Sequence, residues 1–281
     1  MLSAQPSLLQ PFLKWAGGKR QLLPEIRKYV PQHYSAYYEP FVGAGAVLFD
    51  LQPQKAVIND VNTELINTYK VIRDHVDELI ADLKKHQADK EYFYSIRDLD
   101  RQEQFKGLSH VEKSSRIIYL NKTCFNGLFR VNSRGQFNVP FGKYKNPQIV
   151  NEPVLRAVHD YLSTNDFTIL NGDFEQAVST AKAGDFVYFD PPYDPVSNTA
   201  SFTSYSLNGF GKKDQERLRD TFAELDRRGC KVLLSNSATD YIKDLYSSYT
   251  VRIVSASRNI NSNAARRGKI EEVLVMNYES D

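Results

Sequence analysis

From residue 37 onward, short β-rich runs alternate with longer stretches of helical periodicity, a pattern that calls for an α/β domain around a largely parallel sheet. The predicted strands are YYEPF (37–41), AVIN (56–59), FTIL (167–170), DFVYFD (185–190), KVLLS (231–235), YTVRIVSA (249–256) and IEEVLVMNY (270–278), each bounded by Gly, Pro, Asn or Asp. A long amphipathic helix is expected from Asn62 to His86. There Leu65, Ile66, Tyr69, Ile72, Val76, Ile80 and Leu83 recur at spacings of one, three and four, behind Asn62 as N-cap. Between about 61 and 165 the strand signals stop. That segment reads as helices followed by one hairpin, FRVNSRGQFNV (129–139), turning at Asn132 to Gly135. The expected organisation is a sheet domain of residues 1–60 and 166–281 with a second domain, 61–165, inserted into it.

Thirty-six Lys and Arg against 34 Asp and Glu leave a net charge of +2, which excludes a basic tail, a supercharged acidic chain and a disordered one. Charge is uneven locally. Lys113 to Lys145 carries seven cations (Lys113, Arg116, Lys122, Arg130, Arg134, Lys143, Lys145) and no acid, and Val251 to Lys269 carries five (Arg252, Arg258, Arg266, Arg267, Lys269) and none. Either run would serve as a solvated face. Interleaving of the first with Tyr119, Phe125, Asn126, Phe129, Phe137, Asn138, Phe141 and Tyr144 favours nucleic acid, because rings wedge beside bases while cations hold phosphates. Two cysteines, Cys124 and Cys230, build neither a disulfide framework nor a zinc site, so a reducing cytoplasm and no bound metal are expected. The opening MLSAQPSLLQPF lacks a basic n-region and a long apolar h-region, and no apolar run reaches the length of a membrane span.

The most specific motif is Asp190-Pro191-Pro192-Tyr193, at the C-terminal end of a predicted strand, the edge where open α/β sheets bind ligands. At average residue usage it arises by chance in about one in a thousand chains of this length, so a plain proline-rich loop is a weak explanation. Two prolines remove two backbone donors and leave carbonyls and the Asp190 carboxylate as acceptors. Such a site suits the exocyclic amino group of a base. Accepting both its hydrogens localises the nitrogen lone pair without prior deprotonation, and Tyr193 can stack on the ring.

A nucleophile needs an electrophile. Glu39-Pro-Phe41-Val-Gly43-Ala-Gly45 follows the first strand and opens a helix, with Asp60 ending the next strand where an acid would meet ribose hydroxyls. The third glycine of the dinucleotide fingerprint is missing, which favours a nucleoside cofactor over a nicotinamide. The plainer reading is a tight turn at Gly43 and Gly45, with Asp60 capping the helix at 62. In Lys14-Trp15-Ala-Gly17-Gly18-Lys19 the first P-loop glycine is absent and Arg20 replaces the magnesium-binding Ser or Thr, so an NTPase is rejected. Trp15 is either core or a platform for a sulfonium or an adenine.

KWAGGK (14–19), EPFVGAG (39–45) and DPPY (190–193), in this order, resemble the Dam-type DNA adenine-N6 methyltransferases. The likeness extends through FNGLFRVNSRGQFNVPFGKYKNP (125–147), SFTSY (201–205), LLSNS (233–237) and SRNINSN (257–263), nearly the whole chain, and includes the GATC-methylating partners of restriction systems. The resemblance implies a Rossmann-like class I S-adenosylmethionine-dependent sheet with an inserted helical and β-hairpin target-recognition domain. It implies that Trp15, Lys19, Phe41, Gly43, Gly45, Asp60, Asp173 and Asp190 meet S-adenosylmethionine, and that Asp190, Pro191, Pro192 and Tyr193 form the catalytic loop. Lys14, Leu128, Arg130 and Pro140 match readers of GATC, and Phe125 and Asn126 match residues beside a flipped adenine. With Asn132, Arg258, Asn261 and Arg267 these make up the expected contacts to double-stranded DNA. Phe125 departs from the Tyr of some relatives and Asp194 is an unfamiliar acid after DPPY. A monomer suffices. Loops of the DPPY kind also serve RNA and glutamine-amide acceptors, so an RNA amino group is the alternative substrate, and an intact DPPY argues against a non-catalytic DNA-binding copy.

Overall fold

The structure, a computed structural model, describes residues 8–15, 17, 19–196, 209–257 and 269–279. Every predicted strand is present: β1 (Tyr37–Glu39), β2 (Lys55–Asp60), β3 (Asp166–Asn171), β4 (Phe186–Phe189), β5 (Lys231–Ser237), β6 (Thr250–Ser257) and β7 (Lys269–Met276). They form one mixed sheet in the order β3-β2-β1-β4-β5-β7-β6. The pairs β1/β2, β1/β4 and β4/β5 are parallel, and β7 runs antiparallel to both β5 and β6. The strand order reverses between β1 and β4, so a crevice is expected beyond the C-terminal ends of these two strands. Glu39-Pro40-Phe41 leaves β1 there, and Asp190 leaves β4.

The described α-helices are α1 (Leu23–Ile26), α2 (Ala46–Leu51), α3 (Thr63–Asp74), α4 (Val76–Leu83), α5 (Lys90–Arg97), α6 (His110–Thr123), α7 (Glu152–Thr164), α8 (Phe174–Ala177), α9 (Lys212–Arg227) and α10 (Asp240–Leu245). Asn62 caps α3 as expected, its side chain accepting from the Leu65 N–H at 2.9 Å. The single helix expected up to His86 is instead two, broken at His75 (φ −142°, ψ 42°). The apolar spacing carries no mark of the break, because Ile72, Val76 and Ile80 stay buried across it. The break is cheap: His75 N–H still reaches the Val71 carbonyl at 2.8 Å and Leu79 N–H reaches that of His75 at 3.0 Å. Asp77 and Glu78 then stand in the first turn of α4, where acids complement the helix dipole.

The chain divides into two compact units, one drawn from residues 1–18, 43–52 and 60–171 and the other from 19–42, 53–59 and 172–281. The second is built on α9. Leu218, Phe222 and Leu225, one stripe of an otherwise charged helix, are fully buried against Val187, Phe189, Val232, Leu234, Val273 and Val275 of the sheet. In the first unit, Phe93 of α5, Tyr119 and Leu120 of α6 and Cys124, its C-cap, bury Phe137 and Val139 of the hairpin. Gly45 enters α2 at φ +76°, and a Cβ there would sit 2.7 Å from the Tyr69 hydroxyl and 2.8 Å from a Phe49 ring carbon. Gly45→Ala is therefore expected to cost about 1–3 kcal/mol, read as a lowered denaturant midpoint; an unchanged midpoint would show that the turn relaxes freely.

Candidate active site

β4 is flanked on both sides in the sheet and all four of its residues are buried, so the loop that follows it begins at a fixed point. Asp190 Oδ1 lies 2.6 Å from the Lys19 ammonium and accepts from Ser235 Oγ of β5 at 3.1 Å. Burial pushes the Asp190 carboxyl above the ordinary aspartate range, against the opposing pull of Lys19 and Ser235. The Lys19 Nζ also stands 4.4 Å from the centroid of the Tyr193 ring. Tyr193 donates its hydroxyl to Glu272 Oε2 of β7 at 2.8 Å, and burial holds that phenol well above its usual range. The unit thus gathers a carboxylate, an ammonium and an aromatic face at one point.

The loop is pinned from behind by a polar chain. Gln215 Nε2 of α9 donates to the Pro192 carbonyl at 2.9 Å, and its Oε1 accepts from Asn236 Nδ2 at 3.1 Å. Asn236 Oδ1 accepts the Asp194 N–H at 3.0 Å, and the Asp194 carboxylate accepts from Thr239 Oγ1, the N-cap of α10, at 2.7 Å. The unfamiliar Asp194 is therefore turned towards a helix cap. Gln215 had no sequence signal. Ser235 and Asn236 fall in LLSNS (233–237), which the resemblance covered without giving either a role, and Glu272 fell in a predicted strand.

Asp173, after β3, accepts the Glu175 N–H at 2.9 Å as N-cap of α8 and is clamped by Arg217 Nη2 at 3.0 and 3.1 Å. The Arg217 guanidinium, which also pairs with Glu175 and Asp214, rides 5.0 Å over the Phe174 ring. Phe41 packs against Phe174, Phe189 and Phe210. Asn59 Nδ2 donates to the carbonyls of Pro40 at 2.9 Å and Gly172 at 3.0 Å, holding those two loops together.

In the other unit, Asp60 uses one carboxylate oxygen for the Gly43 N–H at 3.1 Å and the other for Asn62 N–H at 2.9 Å. Burial pushes this carboxyl up, and these backbone donors oppose the shift. Gly43, at φ +50°, brings its backbone so close to the Trp15 indole that a Cβ would sit 3.1 Å from Cδ1. Trp15 stacks on Phe129 with centroids 4.7 Å apart and planes 21° apart. Both plain readings of this region thus have a share: Asp60 does brace the turn, and Trp15 is half-buried.

The expected DNA-contacting residues of this unit are sorted by their surroundings. Phe125 is 51% exposed and Leu128 37% exposed, with Asn126 between them at φ +56°. Asn is among the side chains that tolerate this left-handed backbone, and the turn leaves the apolar side chains of Phe125 and Leu128 in solvent. Lys14 is fixed by Asn121, whose side chain accepts from Lys14 N–H at 2.9 Å and donates to the carbonyls of Lys14 at 2.8 Å and Gly127 at 2.9 Å. Arg130 is exposed and braced on Asn138 Oδ1 at 2.6 Å. Asn132 is committed to the hairpin turn, its Oδ1 accepting from Arg134 and Gln136 N–H at 2.9 and 3.0 Å. Pro140 is exposed, and its carbonyl accepts from Phe125 N–H at 2.8 Å. Arg258, Asn261 and Arg267 lie outside the described residues.

One cation of the first basic run has another function. Arg116 is buried, with Nη2 2.8 Å from Asp100 Oδ2, and it donates to the carbonyls of Ile96 and Arg97. Asp100 in turn accepts the Phe137 N–H at 2.7 Å, so this pair anchors the hairpin rather than facing a partner. Tyr119 and Phe137 are likewise core.

The family described as D12 class N6 adenine-specific DNA methyltransferase matches residues 15–260. The type II methyltransferase M1.LlaDCHI of Lactococcus lactis subsp. cremoris is 49% identical over 272 residues, 96% of each chain. The type II methyltransferase M.MjaIII of Methanocaldococcus jannaschii is 42% identical over 290 residues, covering 96% of this chain and 99% of that one. The DNA adenine methylase of Escherichia coli K12 is 32% identical over 265 residues, 94% of each. With DPPY at the sheet's switch point and a match over most of the chain, this protein belongs to the D12 class of N6 adenine-specific DNA methyltransferases.

Proposed function

We propose that the enzyme turns an adenine of GATC out of duplex DNA and methylates its N6 with S-adenosylmethionine as donor. The observation that carries this reading is the half-buried Asp190 carboxylate at the start of a loop whose residues offer acceptors rather than donors. The cofactor fits by the chemistry of the residues available. Trp15 and Phe41 offer aromatic faces to a sulfonium and an adenine, and Asp60 and Asp173 offer acceptors for hydroxyl and amino hydrogens. Asn59 Oδ1 is a buried acceptor without a partner among the described residues. Lys19, Gly43 and Gly45 complete the set matched to the cofactor. When bound, S-adenosylmethionine supplies an electrophilic methyl group on a good leaving group.

The chain's own residues do the rest. Asp190 and a backbone carbonyl of the loop accept the two amino hydrogens, which concentrates the lone pair on N6 and fixes the orientation of the amino group. Once the nitrogen carries the methyl it sheds a proton, and the raised Asp190 carboxyl is a ready receiver. Extruding the base costs a few kcal/mol. Stacking on Tyr193 returns about 1–3 kcal/mol of that. Phe125 fills the gap left in the duplex.

Arg130 is the proposed guanine reader. Its planar fork suits a bidentate pair with O6 and N7, and Arg130→Ala is expected to lower discrimination at that position by about 1–3 kcal/mol. Competition between GATC and a duplex altered only at that base pair measures it; unchanged discrimination removes Arg130 from the readers. The names of the relatives from L. lactis and M. jannaschii support a place beside a restriction endonuclease. The test of the whole reading is incubation of the protein with tritiated S-adenosylmethionine and duplexes carrying GATC or a scrambled site. Label on the adenine of GATC alone is the expected result. Label on ribosomal RNA but not on duplex DNA would transfer the assignment to an RNA amino group.

A further inference from the structure

Lys19 is 7% exposed, an unusual place for an ammonium. Its position is also specific. It stands 2.6 Å from the carboxylate oxygen of Asp190 and 4.4 Å from the centre of the Tyr193 ring. These are the two contacts that the reading above assigns to the target adenine: an N–H donor on Asp190 and a partner for the ring of Tyr193. Oδ1 already accepts from Ser235 of β5 as well as standing against Lys19, so an adenine amino hydrogen reaches that oxygen as Lys19 withdraws.

We propose that Lys19 is a positioning residue that occupies the place of the target amine between turnovers, keeps Asp190 in its ionised, accepting form, and yields both contacts when the base arrives. This rests on the assignment of Asp190 as acceptor of the adenine amino group. The surroundings of Asp190 give the device its purpose. Tyr188 of β4, Tyr193 of the loop, Glu272 of β7 and, near Tyr188, Glu39 of β1 offer no positive charge; Glu272 disfavours a second carboxylate, and Ser235 contributes a single hydroxyl donor. Among these, Lys19 is the group that opposes protonation of Asp190 by charge. Without it burial and Glu272 would hold the carboxyl further above its ordinary range, and a protonated Asp190 offers the incoming amine a donor where it needs an acceptor.

The experiment compares wild type, Lys19→Met and Lys19→Arg, each with cofactor affinity and circular dichroism measured separately. The first readout is the pH profile of single-turnover methyl transfer at saturating cofactor. Activity needs ionised Asp190, so it falls as pH drops through that group's pKa. Removing the cation is expected to move the acid limb upward by about one pH unit or more, and Lys19→Arg is expected to hold it near the wild-type position. The second readout is the ratio of affinities for a duplex with the target adenine and one abasic at that position, measured with S-adenosylhomocysteine at pH 8.5. Without a resident competitor the preference for adenine is expected to rise about fivefold or more in Lys19→Met. An unmoved acid limb together with an unchanged ratio, in a folded protein, overturns the proposal. Loss of cofactor affinity as the sole effect does so too, leaving Lys19 a cofactor ligand only. If wild type itself fails to methylate adenine in any duplex, the underlying assignment of Asp190 falls instead.

Discussion

Replacing Asp190 by Asn lowers methyl transfer at saturating substrates by about 10²- to 10³-fold, as expected for loss of one preorganised electrostatic contact to the reacting group. The substitution keeps the shape of the side chain but replaces a charged acceptor of two oxygens by a neutral amide with one weaker acceptor and a donor. It also strips the buried Lys19 of a carboxylate 2.6 Å away. Breaking a buried pair from one side costs about 3–5 kcal/mol, so Asp190→Asn is destabilised as well as slow. Lys19→Met combined with Asp190→Asn separates the two effects: stability returns towards wild type while the rate does not. A double variant that regains the rate would show that Asp190 acts through folding alone. The pH dependence carries a second sign to check. Burial raises the folded-state pKa of Asp190, so its contribution to stability is present at low pH and is lost as pH rises through that raised value. On the proposed mechanism methyl transfer needs the ionised form and is expected to rise over the same window. Stability and rate therefore move in opposite directions there, and Asp190→Asn flattens both.

Arg116→Met is the second large effect. Its guanidinium and the Asp100 carboxylate are 3% and 8% exposed, and Asp100 also receives the Arg101 guanidinium at 2.8 Å and the Phe137 N–H at 2.7 Å. Removing Arg116 leaves that carboxylate short of a partner in a buried place and frees the carbonyls of Ile96 and Arg97. The expected loss is about 3–5 kcal/mol in chemical denaturation. Asp100→Asn in the same chain removes the stranded charge and should recover part of it, because an amide still accepts from Phe137. Below the melting range, Arg116→Met is expected to weaken sequence discrimination more than cofactor binding, since Phe137, paired with Val131 in an isolated bridge, directly precedes Asn138, the brace of Arg130. Equal losses in the two would place Arg116 in general packing rather than in the hairpin's support.

The seven strands were legible because each is a short apolar run closed by a breaker, and the DPPY loop stood out because its four residues are rare together. Asn62 announced its helix for the same local reason. What the residue pattern could not carry was anything paid for at long range. The break at His75 leaves the apolar spacing intact. Arg116 looked like one more cation in a basic run because Asp100, its partner, belongs to a different helical stretch. Gln215 sits on the buried stripe of a charged helix and gives no hint that it holds the Pro192 carbonyl. The resemblance named Lys19 as a cofactor residue, and only coordinates set it on Asp190.

The interleaving of the two units has a consequence for synthesis. Strands β1 and β2 are complete by residue 60, but β4, which lies beside β1, begins only at residue 186, and β5 at 231. Between them the ribosome delivers most of the first unit. A nascent chain that has just released residue 171 therefore holds a unit able to close while one side of β1 still lacks its neighbour. At about 5–20 residues per second that exposure lasts seconds. Chains arrested in this interval are the ones expected to depend on chaperones, and fragments ending before β4 should aggregate where fragments confined to residues 60–171 stay dispersed.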